Sequence, residues 1–231
     1  RPRGVLFYPG FDGGLPDLWA GPEAPARKDQ LRTRAIAARH RQAGADGIYV
    51  FNWHSGAEGP RPALLREVGE AATLEGVDKL YSVLRRGPTY LDGVAPNAVN
   101  DRIYGETATV LMPTLTGDGP TYTISQHDDV VARAADISAL QLHIEIAHWA
   151  PEDEVEVSVD GKTIGVPMVV DVAENDDAPP RVSENKWLVW DLEPEQIAKG
   201  QHTIKVVLVN RDSRLSVPLT IDHVDLHVRY R

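Results

Sequence analysis

The chain has no cysteine, which excludes disulfides, thiolate catalysis and thiolate-held metals together. It leaves the compartment open, because exported bacterial proteins often lack cysteine too; a periplasmic or extracellular location fits as well as any other. No apolar run is long enough to span a bilayer. Neither a Met nor a charged, apolar, small-residue leader opens the chain at Arg1-Pro2-Arg3, which starts as a fragment of a longer protein would. Basic charge is short in the second half. Lys and Arg number 24 against 34 Asp and Glu, 14 against 12 before Gly105 and 10 against 22 from it onward, for a net charge of −10. Nucleic acid, whose binding needs clustered cations, is not expected as a partner, and the same balance argues against strongly sulfated glycans on that half unless a local basic patch overrides the average. Phosphate loops, dinucleotide fingerprints and Ser-His-Asp arrangements are also absent.

What is present divides into two kinds of pattern. Gly4-Val5-Leu6-Phe7-Tyr8 is an apolar run ending in Pro9-Gly10, which predicts a strand and then a Gly- and Pro-rich loop to Pro25. From Asp29 the pattern turns helical, with Leu31, Ala35, Ala38 and Gln42 on one face and Gly44 as the residue that ends the helix. Ile48 to Phe51 is a continuous apolar run, suited to a parallel strand buried on both faces. Pro62 sits at the first turn of a second helix with Leu64, Leu65 and Val68. A short helix from Thr73 to Lys79 and a run from Tyr81 to Leu84 close this part, so residues 4 to 69 read as β-α-β-α. Residues 1–85 form this α/β part and 86–102 a linker.

Residues 103–231 read differently. Seven β-rich runs are separated by turn residues: Ala108 to Met112, Thr121 to Ser125, Ala139 to Ala147, Glu154 to Val159, Trp187 to Asp191, His202 to Val209 and Val224 to Tyr230. That pattern predicts an antiparallel β-sandwich. Leu140, Leu142, Ile144 and Ile146 alternate with Gln141, His143 and Glu145, and Asp160-Gly161 is a two-residue hairpin signal. His143 and His227 project from strands whose pairing the sequence leaves unspecified.

Two β/α units cannot close a barrel, and a two-stranded parallel sheet leaves its edges bare. The expectation is therefore that further β/α units precede this segment or that another chain covers the edge. The succession GVLFYPGFDGG, AGADGIYVFNWH and LLREVGEAATLEGVDKLYSV resembles the last two β/α units of bacterial glycoside-hydrolase-like TIM barrels. GQHTIKVVLVNR and LTIDHVDLHVRY resemble the jelly-roll appended to such barrels. The resemblance implies the C-terminal fragment of a (β/α)8 barrel, with Gly4 to Tyr8 as strand seven and Ile48 to Asn52 as strand eight, followed by an antiparallel jelly-roll-like sandwich. It implies hydrolysis of glycosidic bonds, with carbohydrate as the partner. Retaining members carry a nucleophilic Glu after strand seven and an aromatic after strand eight. Trp53 matches the second; in place of the first, the nearest acid is Asp12.

Glycoside hydrolysis needs two carboxyl groups, roughly 5–5.5 Å apart for retention and 6.5–9.5 Å for inversion. Asp12 is the one candidate here, although Asp-Gly-Gly is also ordinary turn chemistry. Trp53 offers a face on which a sugar can stack, and Asn52 and His54 offer hydrogen bonds at the same rim. Tyr8 and Trp19 are further candidates, and each residue has a packing alternative. Trp187 and Trp190, three positions apart, face opposite sides of one strand, so they and Trp149 read more simply as packing than as a sugar platform. Asp171, Glu174, Asp176 and Asp177 could hold calcium but lack an EF-hand's spacing; a solvated acidic loop is the simpler reading. His127, Asp128 and Asp129 are likewise a turn before they are a metal cluster. The competing class is a non-catalytic glycan-binding or structural accessory module.

Overall fold

The computed structural model describes residues 6–12, 25–51, 62–83, 109–111, 118–171 and 184–231. Among these the fold is mixed, with two helices and sheets that are mostly antiparallel. Strands β1 (Gly10–Asp12) and β2 (Tyr49–Phe51) pair in parallel, with helix α1 (Pro25–Gln42) between them in the chain and α2 (Pro62–Gly69) after them. The first strand thus begins later than the expected Gly4 to Tyr8. The Phe7 N–H donates to the Asp46 carboxylate at 2.8 Å, and Pro9 has no N–H to give, so regular pairing starts only at Gly10. Tyr49 is 59% exposed, so β2 is not buried on both faces among the described residues.

Helix α1 is buried along two lines. Leu31 and Ala35 lie on one side and Thr33 and Ala37 roughly 200° around the helix from them. Ala35 joins the core of the β-sheets, whereas Ala37 packs with Leu64, Val68 and Leu74 from α2 and the turn beyond it. The helix ends as expected: the Ala45 N–H reaches the His40 carbonyl and the Gly44 N–H the Arg41 carbonyl, with Gly44 at φ 86°. This is a Schellman end, which places Gly where a Cβ would be strained. Arg39, His40 and Arg41 in the last turn suit the negative end of the helix dipole. The expected helix from Thr73 to Lys79 is instead a single 3₁₀ turn, Ala72–Leu74, because the Thr73 hydroxyl donates back to the Glu70 carbonyl rather than capping a new helix.

All seven β-rich runs are strands. The smaller sheet has the order β5-β11-β7-β8, built from β5 (Thr121–Gln126), β7 (Glu154–Val159), β8 (Lys162–Thr163) and β11 (Gly200–Asn210). The hairpin β7–β8 turns through Asp160 and Gly161, both at positive φ, as a two-residue loop needs. The larger sheet has the order β3-β12-β6-β10-β9, from β3 (Lys79–Val83), β6 (Ile137–Trp149), β9 (Met168–Asp171), β10 (Glu184–Asp191) and β12 (Leu219–Tyr230); β4 (Thr109–Leu111) also pairs with β12. Leu142, Ile144 and Ile146 of β6, Leu188 and Trp190 of β10, Val157 of β7 and Ile204 and Val206 of β11 share one apolar core.

Strand β3 belongs by sequence to the α/β part, yet it pairs antiparallel with β12, Tyr81 opposite Leu226 and Lys79 opposite Val228. The inward parity of β3 therefore delivers Lys79 into a buried site. Its ammonium lies 2.7 Å from Asp128, whose other oxygen accepts from the Tyr81 hydroxyl at 2.9 Å. Burial pulls the Lys79 pKa down, and Asp128 acts against that. Removing one member of such a pair leaves a buried charge without its partner. Lys79→Met should therefore lower unfolding stability by roughly 3–5 kcal/mol, and adding Asp128→Asn should recover part of the loss. Urea titration measures both; equal stability of Lys79→Met and the parent would contradict the pairing.

Candidate functional site

The rim expected from the sequence is only partly within the described residues. Parallel pairing puts Asp12 directly opposite Phe51, at the C-terminal edge that β1 and β2 share. Asn52, Trp53 and His54 follow Phe51 in the chain; they and Trp19 lie outside the described residues. Asp12 is in a strand rather than in a turn beyond one. Tyr8 is not brought to that edge. It stands four residues earlier, about 13 Å back along an extended chain, with its ring against Gly47 at the start of the β2 segment, where any Cβ would overlap it. Tyr8 is 55% exposed, so it offers a surface, but one away from Asp12.

The other candidates separate on inspection. Asp171 pairs with Lys186, and Glu174, Asp176 and Asp177 lie outside the described residues. His127, Asp128 and Asp129 diverge: His127 meets Gln42, Asp128 takes Lys79 and Tyr81, and Asp129 caps the Ala132 N–H at 3.0 Å. Among the described residues no group of three or more His, Asp or Glu is arranged to hold a metal ion, and no described helix is long and apolar enough to cross a membrane. Trp149, Trp187 and Trp190 are all buried, at 9%, 1% and 2% exposure, so none of the three presents an open face for a sugar. Trp190 turns inward and donates to the Gly165 carbonyl at 3.1 Å.

Among the described residues, the densest polar arrangement is one the sequence indicates only by its parity. The face of the larger sheet that points away from the shared core carries three cross-strand rows: His223, Glu145 and Trp187; Asp225, His143 and Val189; His227, Gln141 and Asp191. A strand with one wet face would expose such residues. Here His143, Glu145, His223, Asp225 and His227 are all at most 5% exposed. The His143 and His227 rings stack with centroids 3.9 Å apart, Trp187 lies 6.1 Å from His143 and 6.2 Å from His223, and His223 approaches Glu145 at 4.0 Å. His143 Nε2–H donates to the Gln141 amide oxygen at 3.2 Å, and the Gln141 amide donates to Asp191 at 2.8 Å.

Asp225 is the electrostatic centre of this face. From α1, the Arg32 guanidinium reaches it at 3.5 Å and also donates to the Ser82 hydroxyl at 3.0 Å on β3, directly opposite Asp225. Burial alone would raise the Asp225 pKa; Arg32 first, then His223, His227 and Ser82, outweigh it and bring it to about 2. The arrangement holds ionised groups in a low-dielectric layer, but Glu145 and Asp225 have no exposed surface for a substrate to reach. Its Arg32–Asp225–Ser82 corner is a polar seam between helix α1 and the sheet. No protein-family model matches the chain, and no curated protein sequence matches it.

A carboxyl group whose pKa is lowered on folding stabilises the fold above its unfolded value, and that stabilisation is lost as the pH falls through its folded value. From 3.8 to about 2 this amounts to about 2 kcal/mol, present above pH 4 and lost toward pH 2. Asp225→Asn should therefore be less stable than the parent at neutral pH, with the gap closing by about that amount between pH 4.5 and 2. Urea unfolding at a series of pH values tests this, and parallel stability curves would refute it.

Proposed function

We propose that this chain is the C-terminal part of a carbohydrate-active, glycoside-hydrolase-like protein. In this reading its β/α units end a (β/α)8 barrel, and its paired sheets form an appended jelly-roll-like module. The observation that carries the reading is the parallel pairing of β1 and β2 on either side of α1, which sets Asp12 beside Phe51 at a common C-terminal edge. That is the end of a β/α sheet where ligands bind. Asn52, Trp53 and His54 come next in sequence and supply a stacking face and hydrogen-bonding groups suited to a sugar. Support for sugar as the ligand comes from the sequence motifs, since fold alone does not fix function. Asp12 would serve as one carboxylate, with the second acid contributed by another β/α unit.

A second reading, a structural accessory module without catalysis, draws on a different observation: Trp149, Trp187 and Trp190 are committed to packing. Assay of the full-length protein on a panel of polysaccharides separates the two. Asp12→Asn should lower turnover by about 10²–10⁴-fold, while Trp53→Ala should mainly raise KM. Unchanged turnover in Asp12→Asn removes that residue from the chemistry, and a protein that neither cleaves nor binds any glycan supports the accessory reading.

A further inference from the structure

We propose that His127 is an acid-sensitive latch between the end of α1 and the paired sheets, holding the helix end when neutral and releasing it when protonated. His127 directly follows β5, and its ring meets Gln42, the last residue of α1. An amide oxygen only accepts, so Nδ1–H is the donor and the neutral ring keeps its other nitrogen bare. That Nε2 is buried and has no hydrogen-bond partner among the described residues. Protonation would place a second N–H there, charged and with no acceptor.

The surrounding charges set the sign. Arg39 faces the ring from α1, Lys199 from the segment before β11, Asp128 from its own segment, and the Tyr81 ring from β3 with centroids 6.0 Å apart. Asp128 is the one anion among these, and Lys79 and Tyr81 already occupy both of its oxygens. An imidazolium would therefore sit between two cations and beside a carboxylate engaged elsewhere. Burial first, then Arg39, hold the His127 pKa below 6.5, with Asp128 opposing. For a base whose pKa is lowered by docking, the docked state is at full strength above about 6.5 and weakens as the pH falls through the lowered value. The helix end leads through Gly44 to β2, so its release would reach the start of the strand whose far end pairs with Asp12.

His40, in the last turn of α1, is a second imidazole lowered by burial and Arg39, so the test must tell the two apart. Amide hydrogen exchange of the whole chain between pH 8 and 5, expressed as protection factors for residues 39–45, gives the readout. The parent should lose protection below pH 6.5, by at most about tenfold per pH unit because one proton is involved. His127→Asn keeps a donor at the Nδ1 position and cannot titrate, so its protection should stay flat with pH. His127→Ala should be poorly protected at every pH, and NMR should show the His127 ring titrating below 6.5. An equal pH-dependent loss in His127→Asn, full protection in His127→Ala, or a ring that titrates at or above 6.5 overturns the latch.

Discussion

The double-sided burial of β12 is the constraint on which the rest of the structure depends. Val224, Leu226 and Val228 point into the core shared by the two sheets, and His223, Asp225 and His227 point the other way, yet all six are buried. An apolar row can be covered by any apolar surface. A row containing an ionised carboxylate can be covered only by something that brings charge and hydrogen bonds, because a buried ion without them costs several kcal/mol. Arg32 meets that condition, and it can do so only if α1 lies over β3 and the adjacent part of β12. The place of the helix is fixed by Asp225 together with the packing of Ala35 into the core of the sheets.

The other contacts between the helical part and the sheets fall into line with that one. Arg34 holds Glu67 of α2 at 2.7 Å and donates to the Asp78 carbonyl at 3.2 Å, tying both helices to the turn that feeds β3. The Asp78 carboxylate accepts the Tyr230 N–H at 2.8 Å, which fixes the end of β12 against the same turn. On the inner side, Lys79 and Tyr81 converge on Asp128. Strand β3 is thus gripped from both faces, by Arg32 through Ser82 outside and by Asp128 inside. Successive residues of one short strand serve opposite faces of the sheet.

Local signals were legible in the sequence and partner choice was not. The seven β-rich runs, the Asp160-Gly161 hairpin and the Gly44 helix end are each encoded within a few residues, and each is found where the pattern puts it. The adjacency of Asp12 and Phe51 was half legible: two apolar runs flanking a helix imply parallel pairing, but the Phe7–Asp46 hydrogen bond and Pro9 moved the first strand toward Asp12. The pairing of β3 with β12 was not legible, because nothing near Tyr81 names a partner so distant in the chain. The stack of His143 on His227 was hidden for a further reason. It depends on the β12–β6 register, which sets His227 opposite Gln141 and so diagonal to His143, and no local pattern fixes that register. Trp187 shows the same division: its parity, opposite to that of Trp190, follows from spacing, but an outward residue on an antiparallel strand would be expected to meet water.

The coupling between the parts also has a direction. Helix α1 is fixed to the sheets near its middle by Arg32 and at its end by Gln42, and it passes through Gly44 and Asp46 directly into β2. Asp46 in turn holds Phe7 through both its carboxylate and its N–H, so the approach to β1 is set from the same point. The starts of both parallel strands are therefore positioned by a helix that is itself tied to β12 and β3 through Arg32. A short parallel pair has little intrinsic rigidity. Anchoring its shared helix to a larger antiparallel sheet supplies that rigidity, and it does so from the end of the pair opposite to the one where Asp12 and Phe51 meet.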